Sequence, residues 1–246
     1  MGIRLARTPD IVPIAKTSGF DWLFIDLEHG AMGLETAGTL CMSALATGVT
    51  PLVRVLDPHH ATRLLDAGAQ GVVVPHVDTV DEAARVIDAC LYPPAGHRSI
   101  GGPMAQCDYQ ALPPVEGMRL VNEETMVTVM LETPTAIDHA EAIAALPGLD
   151  AMLIGTGDLC VEWGIPGEVG HPRVEQAYRH VLEAGRRHGV HIGMGGAYAP
   201  KAMRRYIELG VRMVLSGSDV AFLMAGAAQR SAELRAILDT PQRETS

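Results

Sequence analysis

Residues 127–158, VTVMLETPTAIDHAEAIAALPGLDAMLIGTGD, constrain the fold more than any other stretch of the chain. Two apolar runs of strand character flank a segment of helical periodicity, and each run is followed by a carboxylate, first Glu132 and then Asp158. Two strands joined through one helix run parallel, so both acids lie at the same edge of one sheet. The carboxyl ends of parallel strands hold the functional residues of α/β folds. We therefore predict a site at this edge that contains Glu132 and Asp158.

The same alternation continues along the rest of the chain. Apolar runs predict eight strands, each followed by a helix, and the last helix covers about residues 220–238. The chain has 246 residues, and a (β/α)8 barrel typically has about 250. We therefore predict a single α/β domain over residues 1–246, a (β/α)8 TIM barrel. An open doubly wound sheet also fits the alternation, but no Gly-x-Gly-x-x-Gly motif follows the first strand, which disfavours a dinucleotide-binding fold.

The net charge of −10 limits the partners of the chain. An acidic surface repels phosphate groups, so we expect neither nucleic acid nor an anionic membrane as a partner. No apolar run approaches the roughly 18 residues of a membrane-spanning helix, and the N-terminus lacks the apolar segment of a signal peptide. The four cysteines have neither CxxC nor zinc-site spacing. We expect a cytoplasmic protein with free thiols.

Glu132 and Asp158 suggest a metal site. Two carboxylates with no cation beside them in the sequence suit a hard divalent ion such as Mg²⁺ or Mn²⁺, which binds one or two carboxylates and retains water. Helix capping or a salt bridge is the alternative interpretation of two acids at strand ends. The two lysines, Lys16 and Lys201, lie away from the strand ends, which disfavours chemistry through a lysine Schiff base.

Three further polar residues lie at or just after the ends of predicted strands. Asp26 and His29 come after the strand predicted at residues 22–25, where an Asp can orient an imidazole and make it a stronger base. A turn Asp beside a solvent-exposed His is the alternative. Arg54 lies near the end of the next strand, where a buried guanidinium is costly unless it meets an anion or a carbonyl group.

Six segments in this order resemble the HpcH/HpaI family of class II, metal-dependent pyruvate aldolases: GFDWLFIDLEHG, PLVRV, LDAGAQGVVVPHVDTVDEA, YPPAGHRSIGG, the LET that contains Glu132, and GTGDL with GHP after it. The resemblance covers nearly the whole chain. It implies a (β/α)8 barrel that cleaves or forms 4-hydroxy-2-oxo acids through the enolate of pyruvate and an aldehyde. The implied partners are therefore a small oxo acid and an aldehyde.

The resemblance also assigns roles to individual residues. It implies that Glu132 and Asp158 bind Mg²⁺, Mn²⁺ or Co²⁺, and that the metal holds the carboxylate and keto oxygen of pyruvate. The backbone N–H groups of Gly157 and Asp158 would bind the pyruvate carboxylate, and Thr156, in the same Gly-Thr-Gly-Asp turn, is implied to bind substrate as well.

Catalysis is assigned to three residues by the same resemblance. Arg54 would polarise the keto oxygen, and His29, oriented by Asp26, would serve as the acid and base. A metal ion and an arginine would then stabilise the same enolate charge.

Two positions depart from the usual pattern of the family. Met130 stands two residues before Glu132, where the family usually has Gln, and Thr156 replaces the proline of Gly-Pro-x-Asp. Met130 cannot donate a hydrogen bond to a keto acid. Two alternatives therefore stay open: a lyase or synthase that acts on another small oxo acid or an acyl thioester through the same enolate, and a barrel without catalysis.

The resemblance finally implies a homo-oligomer, a hexamer built as a trimer of dimers. Its last helix would pack on a neighbouring subunit, and the apolar segment VAFLMAGAAQRSAELRAIL is compatible with that arrangement.

Overall fold

A computed structural model describes residues 1–238; the polar C-terminal tail, for which the sequence predicts a frayed end, lies outside the described residues. Eight parallel strands form one sheet in chain order. They are β1 (Gly2–Ile3), β2 (Trp22–Asp26), β3 (Thr50–Arg54), β4 (Gly71–Val74), β5 (Met126–Leu131), β6 (Ala151–Gly155), β7 (His191–Gly195) and β8 (Met213–Val214). The Gly2 N–H donates to the Gly217 carbonyl over 2.8 Å, and Gly2 forms a parallel bridge with Ser218. The sheet therefore curls until the segment after β8 meets β1, which confirms the predicted barrel.

Helices connect the strands along residues 1–238. They are α1 (Ile11–Thr17), α2 (Leu34–Thr47), α3 (Ala61–Asp66), α4 (Val80–Cys90), α5 (Pro114–Glu124), α6 (Pro134–Asp138), α7 (Ala140–Ala144), α8 (Thr156–Glu162), α9 (Pro172–His188), α10 (Pro200–Leu209) and α11 (Asp219–Leu238). Two 3-10 turns, Pro58–His60 and Ala105–Cys107, lie between them. No helix in this part of the chain is long and apolar enough to cross a membrane. All four cysteines are free thiols.

Helix α4 illustrates how the local sequence determines an element. The Glu82 N–H donates to the Thr79 hydroxyl over 3.3 Å, and the Thr79 N–H donates to the Glu82 carboxylate over 3.0 Å. This capping box, which the Thr-x-x-Glu spacing of residues 79–82 indicates, satisfies backbone donors that the first helical turn leaves unpaired.

The alternation of side chains along each strand determines which residues reach the centre of the barrel. Phe24, Leu52 and Met130 belong to a cluster of apolar side chains inside the barrel. Successive strand residues point to opposite faces, so the residue two positions further along points inward as well. That rule brings Asp26 and Arg54, on neighbouring strands, to the carboxyl-terminal end of the barrel. Glu132, just after β5, follows the same alternation.

Three helices differ from the sequence-based expectation. The sequence predicts that the first helix begins with Thr8 as its cap and Pro9 as its first residue, but α1 begins at Ile11 after Asp10, and Asp10 makes no side-chain cap. Helix α5 begins at Pro114, directly after Pro113, where the two prolines favour a loop interpretation, and it buries only Gly117 and Val121. Helix α8 begins directly at the end of β6, in a Gly-Thr-Gly segment that reads as a turn.

The last helix, predicted at residues 220–238, begins one residue earlier, at Asp219. Residues 221–238 are all exposed, and six of them are large and apolar: Phe222, Leu223, Met224, Leu234, Ile237 and Leu238. The start of the helix is anchored, because the Asp219 carboxylate accepts the backbone N–H groups of Leu5 and Ala6 over 2.9 and 2.7 Å.

Candidate active site

A cavity of about 70 Å³ lies at the carboxyl-terminal end of the barrel; we call it the mouth cavity. Its charged and polar lining comes from four different strand ends, with Arg4, His29, Arg54 and Asp158. Its apolar lining includes Phe24, Met130, Tyr198 and Leu215. The sequence predicted that His29, Arg54 and Asp158 would meet here, and the structure brings them together.

Asp26 is the centre of a buried ion-pair network beside this cavity. Its side chain is fully buried and binds Arg54 through two bonds, Nε to Oδ1 over 2.9 Å and Nη2 to Oδ2 over 2.6 Å. Arg4 Nε binds the same Oδ2 over 2.7 Å. Burial alone would raise the pKa of Asp26, but the hydrogen bonds and charge of Arg54 outweigh it and hold the pKa below its ordinary value. Asp26 is therefore an anion that fixes both guanidinium groups.

The Asp26 carboxylate contacts His29 through the backbone. Its Oδ1 accepts the His29 N–H over 3.2 Å, while the His29 side chain is 52% exposed and its Nε2 lies 4.0 Å from Glu28 Oε2. Asp26 thus binds the backbone of His29 and not its imidazole. The side chains that bind the Asp26 carboxylate are those of two arginines. Orientation of the imidazole itself by Asp26 stays a prediction.

Glu28 and His76 complete the polar side of the site. The sequence places both near the ends of predicted strands at this edge, but it assigned neither a role. Glu28 Oε2 lies 2.7 Å from Arg54 Nη1, and its Oε1 lies 2.9 Å from His76 Nε2. His76 follows β4 with a left-handed backbone (φ 55°), which turns both its N–H and its ring towards Glu132. Burial opposes the charged ring, but the Glu28 hydrogen bond and the charges of Glu132 and Asp158 raise the pKa of His76.

Glu132 is a buried carboxylate with only 2% of its surface exposed. Its Oε2 accepts the His76 N–H over 2.9 Å and lies 3.3 Å from His76 Nδ1. Burial, with further contributions from the negative charges of Asp158 and Glu28, raises the pKa of Glu132 against the opposing effect of His76. Gly155 makes room for this side chain, because a Cβ at that position would lie 2.5 Å from Glu132 Oε1.

Asp158 lies in the first turn of α8, which begins at Thr156. The first N–H groups of a helix lack acceptors within the helix, so those of Gly157 and Asp158 are free to bind an anion at the cavity wall. The Thr156 hydroxyl lies 2.7 Å from the Tyr178 hydroxyl of α9, and both side chains are fully buried. This contact ties the start of α8 to the outer helix layer.

The residues present fit a divalent cation. Among residues 1–238, no three side chains of His, Cys, Asp or Glu converge as a complete metal cage. Two carboxylates, with water and substrate as the remaining ligands, are nevertheless the set that Mg²⁺ and Mn²⁺ commonly use. Burial is the main reason that the pKa of Glu132 is raised, and the negative charges of Asp158 and Glu28 add to it; a cation bound here would offset both effects.

Comparison with known proteins agrees with this geometry. The family model HpcH/HpaI aldolase/citrate lyase matches residues 5–225. A 4-hydroxy-4-methyl-2-oxoglutarate aldolase of Hapsidospora irregularis is 35% identical over 92% of this chain and 86% of its own length. A hydroxypyruvate/pyruvate aldolase of Chromohalobacter salexigens is 37% identical over 87% of this chain and 84% of its own.

The fold of this chain also matches that of a solved structure. The crystal structure of an HpcH/HpaI aldolase from Desulfitobacterium hafniense superposes with a TM-score of 0.90 at 32% identity, over 98% of this chain and 92% of that one. The resemblance noted in the sequence is therefore confirmed over almost the whole chain. The protein is an enzyme, a carbon-carbon lyase, and belongs to the HpcH/HpaI aldolase/citrate lyase family.

Proposed function

We propose that the protein is a divalent-metal-dependent aldolase that cleaves 4-hydroxy-2-oxo acids to pyruvate, or a close analogue, and an aldehyde, and catalyses the reverse addition. The observation that carries this proposal is the buried, charge-crowded Glu132 beside Asp158, in the same barrel end as an arginine fixed by Asp26. The names of the relatives, which mention 4-hydroxy-4-methyl-2-oxoglutarate and hydroxypyruvate or pyruvate, support the substrate class.

Glu132 and Asp158 would hold Mg²⁺, Mn²⁺ or Co²⁺. When bound, such an ion acts as a Lewis acid that stabilises the negative charge of an enolate. The first-turn N–H groups of Gly157 and Asp158, positioned by Thr156, would bind the substrate carboxylate.

Arg54 would polarise the keto oxygen of the substrate. Its Nε and Nη2 donate to Asp26, which fixes the plane of the guanidinium, and its Nη1 forms an ion pair with Glu28 Oε2 at 2.7 Å. The remaining N–H of Nη1 faces the sulfur of Met130 at 3.9 Å, a weak acceptor that a substrate oxygen would replace. A preorganised donor of this kind stabilises charge that develops during reaction.

His29 would move the protons. In cleavage, it takes the proton of the C4 hydroxyl, the C3–C4 bond breaks, and the electron pair passes to the enolate as the aldehyde leaves. Protonation of the enolate at C3 then gives pyruvate. The half-exposed position of His29 on the cavity wall supports this exchange of protons with solvent.

We further propose that the protein is a cytoplasmic homo-oligomer, a hexamer built as a trimer of dimers, in which α11 packs on a neighbouring subunit. The exposed apolar side chains of α11 support this packing, because they form a patch of the kind that marks an interface. The buried free thiols Cys41, Cys90 and Cys160 suit a reducing compartment. Sedimentation of the double variant Leu223→Glu, Met224→Glu tests the assembly, with smaller species expected; an unchanged sedimentation coefficient would contradict it.

Pyruvate release from a panel of 4-hydroxy-2-oxo acids tests the proposed reaction. We expect release that stops with EDTA, returns with Mg²⁺ or Mn²⁺, and is absent in Glu132→Ala. A metal-loaded enzyme that releases no pyruvate from any member of the panel would contradict the proposal.

A further inference from the structure

Arg4 is a cavity residue that the assigned chemistry does not use. It follows β1 directly, lines the mouth cavity, and keeps 36% of its side chain exposed. Its backbone is anchored, because the Arg4 N–H donates to Asp219 Oδ1 over 3.0 Å. The side chain is also oriented, because its Nε donates to Asp26 Oδ2 over 2.7 Å. Arg4 therefore presents a guanidinium to the cavity from a fixed position.

The strand order puts Arg4 on the side of the barrel where the second reactant must approach. Strand β1 pairs with β2, which leads to His29, and lies four strands away from β5, which leads to Glu132. The metal carboxylates and the start of α8 thus lie on one side of the cavity, and Arg4 lies with His29 on the other. A reactant that exchanges a proton with His29 while it bonds to a pyruvate carbon lies between these two sides.

Arg4 has more free hydrogen-bonding capacity than Arg54. Arg54 uses Nε and Nη2 to bind Asp26, and its Nη1 contacts Glu28 Oε2 and the sulfur of Met130. Within residues 1–238, the described hydrogen bond of the Arg4 guanidinium is the one from Nε to Asp26. Its two Nη groups therefore remain for a ligand, and a planar guanidinium with its plane held is suited to bidentate binding of a carboxylate.

We propose that Arg4 determines acceptor specificity by binding a carboxylate on the carbonyl acceptor, so that the preferred acceptor is an oxo acid anion and not a neutral aldehyde. This inference rests on the proposed aldolase function. In the addition, the enolate electron pair of pyruvate C3 forms the new carbon-carbon bond, and the carbonyl π pair of the acceptor moves to its oxygen. That oxygen takes a proton from His29. Arg4 neither gains nor loses a proton.

The test compares matched acceptors. Glyoxylate and succinic semialdehyde carry a carboxylate, whereas acetaldehyde and butanal are neutral, and each is supplied with pyruvate and Mg²⁺. The measured quantity is the ratio of kcat/KM for acid and neutral acceptors, in the wild type and in Arg4→Gln. Any disturbance of Asp26 or Arg54 by the substitution slows both acceptor classes and cancels in this ratio.

We expect Arg4→Gln to lower the ratio about 10- to 100-fold, mainly through the KM of the acid acceptor, as for loss of a charge-assisted hydrogen bond. Arg63→Gln removes the same charge from an exposed position on α3 and should leave the ratio unchanged. An equal loss for both acceptor classes in Arg4→Gln, or a wild type without preference for acids, would overturn the proposal.

Exchange of the pyruvate methyl protons in D2O, measured without acceptor, separates the two proposals. A wild type that exchanges these protons but does not discriminate among acceptors overturns only the role of Arg4. A metal-loaded wild type that does not exchange them overturns the aldolase proposal and, with it, the acceptor assignment.

Discussion

Gly155→Ala should displace Glu132 and weaken metal binding. A Cβ at residue 155 would lie 2.5 Å from Glu132 Oε1, 2.6 Å from Cγ and 3.0 Å from Cδ. Ordinary contacts between carbon atoms are about 3.5–4.0 Å, so the carboxylate must retreat by roughly 1 Å. It has little freedom to do so, because Glu132 is buried and its other oxygen is held by the His76 N–H at 2.9 Å.

The expected cost follows from the strain of an overpacked site. Adding one methyl group to a packed interior typically costs about 1–3 kcal/mol. If most of this strain falls on the Glu132 position, the Kd for Mn²⁺ should rise about 5- to 150-fold, at about 1.4 kcal/mol per factor of ten. The kcat/KM for cleavage should fall by at least the same factor at low metal concentration. Backbone strain does not contribute, because Gly155 has a φ of −81°, which alanine adopts readily.

Mn²⁺ titration by calorimetry measures this effect, and urea denaturation without metal checks that the variant is folded. Gly170→Ala is the matched control, because a Cβ there meets nothing within 4 Å; its metal affinity should equal that of the wild type. A folded Gly155→Ala enzyme that binds Mn²⁺ within twofold of the wild type would refute the assignment of Glu132 as a metal ligand in this conformation.

Three further substitutions test separate parts of the structure. Tyr178→Phe leaves the buried Thr156 hydroxyl without its partner at 2.7 Å, so the free energy of unfolding in urea should fall by about 1–3 kcal/mol; an unchanged value would argue against this contact. The pKa of Asp26 is lower in the folded chain than in the unfolded chain, where it is about 3.9. The charged carboxylate therefore stabilises the fold fully above the unfolded pKa, and this stabilisation is lost as the pH falls through the folded pKa. Asp26→Asn should therefore flatten the dependence of unfolding free energy on pH between about 5 and 3 in urea titrations, and a slope equal to that of the wild type would contradict this. Thr79→Ala breaks the capping box with Glu82 and should cost about 0.5–2 kcal/mol in thermal or urea unfolding, whereas no loss would mean that the cap is replaced by water.

The barrel itself was predictable because its signals are local. The sequence predicts helices over residues 34–47, 172–188 and 200–209, and the structure has helices with these bounds, α2, α9 and α10. Apolar periodicity marks each of them, and two begin with a proline, whose ring suits the first turn of a helix. Helices α5 and α8 were not predicted, because the prolines or glycines in their first turns are typical of loops. These segments become helical through tertiary packing, which the local sequence does not show.

The sequence predicted the position of the site at the carboxyl-terminal end of the barrel. It did not predict which side chains bind one another there. Strand alternation alone brings Asp26, Arg54 and Glu132 to one end. The partner of Asp26 depends on the register of β2 against β3, which aligns Asp26 with Arg54. The sequence carries no local sign of that register, so His29 was the expected partner instead.

The sequence assigned no role to two residues of the site, Arg4 and His76. Arg4 follows a strand of only two residues, too short for a periodic pattern. His76 reaches Glu132 because its backbone is left-handed, a conformation that is uncommon for residues other than glycine and that the sequence does not predict at this position. Both contacts arise from the closed barrel and not from the local sequence.

Exchange of the pyruvate methyl protons for deuterium, followed by NMR in D2O, tests the metal-assisted enolate chemistry most directly, because it needs neither an aldehyde nor a known substrate. The account predicts rapid exchange with Mg²⁺, its loss on addition of EDTA, and no exchange with Glu132→Gln even when Mg²⁺ is present. Exchange that persists in EDTA, or a metal-loaded wild-type enzyme that leaves the methyl protons in place, would contradict it.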